Sequence, residues 1–258
     1  MYLLPVMALA PGAAGGVRKA ATLRRSADLL RVFRLEQTKP DVFYSFLADD
    51  AANQVSAYVD VDGATLVDVG GGPGYFAQAF MDRGAKYVPL DADAGELRLH
   101  GRTPMPGTVI GDGARLPFRS NSVDVCYSSN VAEHVPDPWI MADEMVRITR
   151  PGGWIFLSYT LWYGPWGGHE TSPWHFLGGA RAAKRYERTQ GHPPKNVYGE
   201  SMFKVTAAAG LRWAKQCNEA RLVEAAPRYL PGWSWSVIHV PAVRELVVWN
   251  LLLVMRKR

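Results

Sequence analysis

The run Val67-Asp68-Val69-Gly70-Gly71-Gly72-Pro73-Gly74-Tyr75-Phe76 constrains the fold of this chain most. The apolar stretch Ala64–Val69 reads as a buried strand, and it stops abruptly in glycines. A helical pattern, Tyr75–Arg83, starts directly afterwards. Glycines at such a turn let the backbone approach a ligand with no Cβ in the way. A strand, a glycine turn and a helix in succession open a βαβ unit, which requires a parallel sheet covered on both faces.

The rest of the chain continues this alternation. Strands are expected at Lys86–Leu90, Gly107–Ile110, Ser122–Ser129 and Trp154–Tyr159, with a helix at Pro138–Thr149 that Pro151-Gly152-Gly153 ends. A later helix, Ser201–Ala209, is expected to stop at Gly210. Late strands are expected at Leu222–Ala225 and Val247–Met255, with room for only a short helix between them. Ahead of the first strand, Thr22–Thr38 is amphipathic, Pro40 breaks it, and a second helix spans roughly Asp41–Tyr58.

The glycine loop by itself does not choose a ligand. The dinucleotide fingerprint G-x-G-x-x-G/A needs a small residue where this chain has Tyr75, which argues against a nicotinamide cofactor. Four further features restrict the choice. Asp91 closes the second strand, placed to accept hydrogen bonds from ribose hydroxyls. Gly111-Asp112-Gly113-Ala114 follows the third strand, where an acid can accept from an exocyclic amine. Asp124 opens a strand that ends in Ser129-Asn130-Val131-Ala132-Glu133-His134, and Asp124 itself reads as a turn or cap residue. Arg150-Pro151-Gly152-Gly153 leads into the next strand.

In this order and at these spacings, the five features resemble the class I S-adenosylmethionine-dependent methyltransferases, in particular the small-molecule branch with an Asp/Glu-x-Gly-x-Gly-x-Gly loop. The resemblance covers roughly residues 64–160 and the late strands. It implies an α/β fold: a Rossmann-like, doubly wound sheet of seven strands, the last antiparallel. It implies S-adenosyl-L-methionine as methyl donor. Asp68, Gly70, Gly72 and Gly74 would form the cofactor loop, Asp91 would hold the ribose, and Asp112 with Gly113 and Ala114 would hold the adenine. Asn130 would lie beside the methionine moiety. The chain then divides into a flexible N-terminus at 1–20, a helical cap at 21–60, and a methyltransferase domain at 61–258 with a substrate lid inserted at 160–198.

That lid holds much of an aromatic surplus. The chain has nine tryptophans, five of them between Trp139 and Trp174. Trp162, Trp166 and Trp174, with Tyr163 and Phe176, either wall a pocket for an aromatic or lipid-like acceptor or pack on one another. His169 and His175 are the candidate catalytic imidazoles, as base or as acceptor-positioning groups, against the alternative of packed polar residues in the lid. His134 reads as structural. A metal is not expected, because His169-x5-His175 is not a usual zinc spacing and no cysteine is near in sequence.

Composition bounds the alternatives. Cys126 and Cys217 are too few and too far apart for a disulfide scaffold, which suits a reducing cytosol. The net charge of +5 is concentrated at the chain ends, and no Asn/Asp-Pro-Pro-aromatic motif of amino methylation is present. No nucleic-acid partner is therefore expected, although a nucleic-acid methyltransferase and a non-catalytic cofactor-binding protein stay open as alternatives. Neither a membrane span nor a secretory signal is expected. The aromatic stretch Pro231–Leu246 either packs on the sheet or, with the basic N-terminal helix, rests on an anionic membrane surface. The expected location is the cytoplasm, with peripheral contact at the inner face of the membrane as the variant; the oligomeric state is not legible.

Overall fold

The computed structural model describes residues 14–36, 38–101 and 103–258. Seven strands form one sheet: β1 Thr65–Val69, β2 Lys86–Asp91, β3 Val109–Ile110, β4 Val123–Ser129, β5 Thr149–Thr160, β6 Ala220–Pro227 and β7 Asn250–Lys257. Their spatial order is β3-β2-β1-β4-β5-β7-β6. The first five are parallel, and β7 runs antiparallel to both β5 and β6. This is the doubly wound sheet with an antiparallel last strand that the resemblance implies.

Strand residues alternate between two cores. Leu66, Val125, Phe156, Leu252 and Val254 face one side, where Phe80 and the small residues Ala48, Ala51 and Ala52 cover them. Val67, Cys126, Ile155, Leu157 and Leu253 face the other, against Met141, Met145 and Trp213. The helices on the first side include α2 Leu23–Phe33, α3 Pro40–Ser56 and α4 Ala77–Met81; those on the second include α5 Pro138–Ile148 and α7 Ala207–Gln216. The chain ahead of the first strand thus contributes a covering layer of the sheet.

Most of the N-terminal arm expected to be flexible lies outside the described residues. Within them, Ala14–Ala20 forms α1. Its Val17 is buried, and Arg18 Nε donates to the Gly232 carbonyl at 2.8 Å.

Two local expectations are corrected. The helix expected at Ser201–Ala209 starts instead at Ala207, because Thr206 caps it through its hydroxyl and the Glu245 carboxylate accepts from the Ala207 and Ala208 amides at 2.8 and 2.7 Å. Gly210 does not stop this helix. A Cβ there would lie 1.9 Å from the Tyr159 hydroxyl, so glycine serves close packing of helix on strand. Likewise, Pro151-Gly152-Gly153 does not separate helix from strand. β5 begins at Thr149, and these residues form an irregularity in its pairing with β4, with Gly152 at φ +74°. Asp124 is structural, as read: it accepts from the Thr65 amide at 2.8 Å and pairs with Arg150.

The segment 160–198, expected to form a lid, contains α6 Gly179–Gln190. A short helix, α8 Val243–Val247, precedes β7. Among the described residues, no helix is long and apolar enough to cross a membrane, and neither cysteine is in a disulfide.

Candidate functional site

The chain winds outward from β1 through β2 to β3 and then returns to β4 on the other side of β1. Ligands of open α/β sheets bind at such a reversal, outside the carboxyl ends of the strands. The glycine loop leaves β1 here, and Asn130 follows β4 here.

The Gly70 and Gly71 amides both donate to the Leu90 carbonyl, at 2.7 and 3.0 Å, which ties the loop to the end of β2. Gly70, Gly72 and Gly74 have φ of +78°, +48° and +75°, a region that L side chains avoid. Their surroundings differ. A Cβ on Gly70 would lie 2.3 Å from Val131 Cγ2, so this glycine is needed for close packing on the segment after β4. Among the described residues, nothing lies within 4 Å of a Cβ on Gly72, and only Met105 Sδ, at 3.9 Å, lies near one on Gly74. These two glycines therefore leave space above the loop. Tyr75, the bulky residue that speaks against a dinucleotide, stacks on Tyr44 of α3 with ring centres 4.4 Å apart.

Asp91 borders that space. Its Oδ2 accepts from the Gly72 amide and its Oδ1 from the Asp93 amide, each at 3.0 Å. The carboxylate is thus oriented from the backbone. Asp112 is exposed and accepts from the Ala114 amide at 2.8 Å, capping the turn Gly113–Arg115.

Asp68 sits beneath the loop, 2% exposed, and accepts from the Tyr87 hydroxyl. Burial pushes its pKa up to about 7, although the Tyr87 hydrogen bond and the charge of Arg228 oppose the rise and Asp91 adds to it. An acid whose folded pKa is raised contributes stability that is complete below its unfolded value and is lost as pH rises through the folded one. The Asp68 contribution is therefore present below about pH 3.8 and declines up to about pH 7. Asp68→Asn, which keeps an acceptor for Tyr87, is expected to gain stability relative to the parent as pH is raised from 5 to 8. Urea unfolding of both proteins across that range would check this; a difference independent of pH would show that Asp68 does not titrate there.

At the end of β4, Asn130 adopts φ +57°. Its amide donates to the Ser158 carbonyl at 2.9 Å, and its Oδ1 accepts from Asn250 Nδ2 at 2.6 Å. Below it lies a group that the motifs give no hint of. Arg228, just after β6, is 1% exposed. One terminal nitrogen donates to Ser129 Oγ and Ser158 Oγ, both at 2.6 Å, and the other to the Tyr127 hydroxyl at 3.0 Å. Its Nε donates to Gln54 at 3.2 Å. Arg25 of α2 pairs in fork geometry with the buried Asp50 and donates to the Arg228 carbonyl at 3.1 Å. The carboxyl ends of β4 and β5 are in this way bound to the N-terminal helices.

The two candidate imidazoles have different settings. His169 lies at φ +46°, with its Nε2 3.3 Å from His134 Nε2 at the end of β4. Burial first, and then His134, hold its pKa below the usual imidazole range. His175 is 1% exposed, packed between Trp162 and Phe176. It is a packed polar residue of the segment expected to form the lid, and it is not beside His134 as His169 is. Glu133, beside His134, is 3% exposed and accepts from the Thr160 amide at 3.0 Å. The lid tryptophans are divided as well: Trp162 is buried against Tyr198, Trp166 touches Phe33 and Trp249, and Trp174 is exposed under Arg185.

Residues 67–157 match the family model described as a methyltransferase domain. A methyltransferase of Mycobacteroides abscessus is 50% identical over 250 residues, covering 92% of this chain and 96% of that protein. One from Mycolicibacterium gilvum is 51% identical over 247 residues, covering 92% and 95%. An S-adenosylmethionine-dependent methyltransferase of known structure from Mesorhizobium loti superposes with a TM-score of 0.54 at 18% identity, over 83% of this chain and 98% of that one, a likeness of fold. With half of its residues shared across nearly the full length of these relatives, on a seven-stranded sheet closed by an antiparallel strand, the chain belongs to the class I S-adenosylmethionine-dependent methyltransferases.

Proposed function

We propose that the crevice between the glycine loop, Asp91 and Asn130 holds S-adenosylmethionine and that the lid presents a small-molecule or lipid-like acceptor to it. The observation that carries this reading is the space that the described residues leave over Gly72 and Gly74, next to the backbone-oriented Asp91 carboxylate. Asp112, fixed by its own turn, is the acceptor for the adenine amine, with Gly113 and Ala114 as backbone beside the ring. Asp68 supports the loop from below, through burial and Tyr87.

The cofactor supplies an electrophilic methyl group on a sulfonium. The residues of the chain then have to orient and to exclude water, and good orientation alone supplies roughly 7–11 kcal/mol of a barrier. Asn130, fixed through its backbone by Ser158 and through its side chain by Asn250, is a rigid positioning group at the strand end. Trp166, between Phe33 and Trp249, supplies an apolar wall suited to an acceptor with an apolar body.

Asp91→Ala is expected to abolish the thermal stabilisation that S-adenosylmethionine and S-adenosylhomocysteine give the parent, while its unliganded melting temperature changes little. NAD should stabilise neither protein. An Asp91→Ala chain stabilised as strongly as the parent would remove Asp91 from the cofactor site. For the acceptor, transfer of labelled methyl groups into a fractionated cell extract should label the small-molecule or the lipid fraction; label in nucleic acid alone would overturn the acceptor class.

A further inference from the structure

We propose that Glu133, His134 and His169 form a binding site for one divalent transition-metal ion, zinc(II) by its donor set, that fastens the lid to the end of β4. The spacing of histidines within the lid gave no such signal, because the site combines the strand end with the lid. One ligand atom from each of the three residues lies within 4.8 Å of the other two.

The arrangement of the two imidazoles carries the proposal. Their facing Nε2 atoms are 3.3 Å apart and their ring centres 5.1 Å. Two imidazoles bound to one tetrahedral zinc at about 2.0–2.1 Å place their nitrogens about 3.3 Å apart and their ring centres about 5.2 Å apart. A linear N–H···N hydrogen bond of the same length would set the ring centres about 5.6 Å apart. The observed pair is bent in the way that two lone pairs aimed at a common point would bend it.

The surroundings prepare these atoms for a cation. His134 Nδ1 lies 2.7 Å from the Ser201 carbonyl. A carbonyl only accepts, so Nδ1 carries the proton and Nε2 presents its lone pair, the usual orientation of a metal-binding histidine. The Glu133 carboxylate is oriented in the same manner: Oε1 accepts from the Thr160 amide, whereas Oε2 is buried with no hydrogen-bond partner among the described residues. A buried carboxylate oxygen without a donor is costly unless a cation satisfies it. His169 reaches this point from a left-handed backbone conformation, a strain that a metal bond offsets. Two imidazoles and one carboxylate suit zinc(II), with a fourth position left for water. The bond from His169 would close the lid over the ends of β4 and β5 irrespective of which acceptor the lid receives.

The test uses the whole chain without a polyhistidine tag, stripped with a chelator and dialysed against zinc(II). Retention of about one zinc per chain is expected, as for a site with three protein ligands. Cobalt(II) in its place should give the strong visible absorption of a four-coordinate ion. Glu133→Gln, His134→Ala and His169→Ala should each weaken zinc binding by more than about 100-fold, the upper end of what loss of a mere supporting partner costs. His192→Ala, an exposed lid histidine, should bind as the parent does. A parent chain that retains no more zinc than His169→Ala overturns the proposal. So does a cobalt spectrum of the weak six-coordinate type, which is read on the unmodified protein and does not depend on any variant folding.

Discussion

Replacing Arg228 by methionine is expected to lower the free energy of unfolding by about 3–5 kcal/mol, since several buried polar groups lose their donor at about 1–3 kcal/mol for each one left unsatisfied. Methionine fills a similar volume without supplying donors. The Tyr127, Ser129 and Ser158 hydroxyls and the Gln54 carbonyl would each lose the guanidinium, and they come from β4, β5 and α3. In a chain of this size the loss corresponds to a fall of roughly 10 °C in melting temperature. Arg228→Lys separates charge from geometry. A lysine keeps the cation but cannot reach both serines, the tyrosine and the glutamine from one planar fork. It should therefore lie between parent and methionine variant. Equilibrium urea unfolding of the three proteins is the measurement. A loss under about 1 kcal/mol for Arg228→Met would place Arg228 among buried ions that a well-packed apolar residue replaces without cost.

The same residue marks how far the sequence could be read. The glycine loop is legible because its requirement is local: positive φ is a property of Gly70, Gly72 and Gly74 themselves. The strand Lys86–Asp91 and its terminal acid are legible for a similar reason, since the distance from loop to acid is fixed by one βαβ turn. Arg228 is not legible, since its meaning lies in Ser129, 99 residues away, and in Gln54, 174 residues away. Nothing in the residues around Arg228 distinguishes it from a surface arginine. The histidines behave likewise. Within the lid, His169 and His175 looked equivalent, and only the fold sets one against His134 and packs the other between Trp162 and Phe176. Gly210 misled for a related reason. Glycine often ends helices, but here it answers to the Tyr159 ring of a strand remote in sequence, and the helix start is decided by Glu245 from the opposite side. Local backbone demands can be read from a sequence; contacts between distant segments wait for the fold.

Gly70→Ala and Gly72→Ala are expected to fail in different ways, although both glycines belong to the same loop. An alanine at either position has to adopt a left-handed conformation, at about 1–2 kcal/mol. At Gly70 the new methyl would also lie 2.3 and 2.7 Å from the two methyl groups of Val131, so the loop must leave its place over the end of β4. Overpacking of this kind costs a further ~1–3 kcal/mol. Gly70→Ala should therefore be destabilised by about 3 kcal/mol without any ligand and should bind S-adenosylmethionine at least tenfold more weakly, because the amides that its loop gives to Leu90 shift with it. At Gly72 the methyl meets none of the described residues within 4 Å and projects into the proposed cofactor space. Gly72→Ala should unfold within about 2 kcal/mol of the parent, yet lose S-adenosylmethionine binding at least as severely as Gly70→Ala. The double variant Gly70→Ala/Val131→Ala supplies the discriminating case. Removing the Val131 methyl groups takes away the collision and leaves the left-handed strain, so both stability and cofactor affinity should recover part of the way. Unfolding curves and calorimetric titration of the four proteins would decide the matter. Full cofactor affinity in Gly72→Ala would mean that the ligand does not lie over the loop, and no recovery in the double variant would mean that Val131 does not set the position of Gly70.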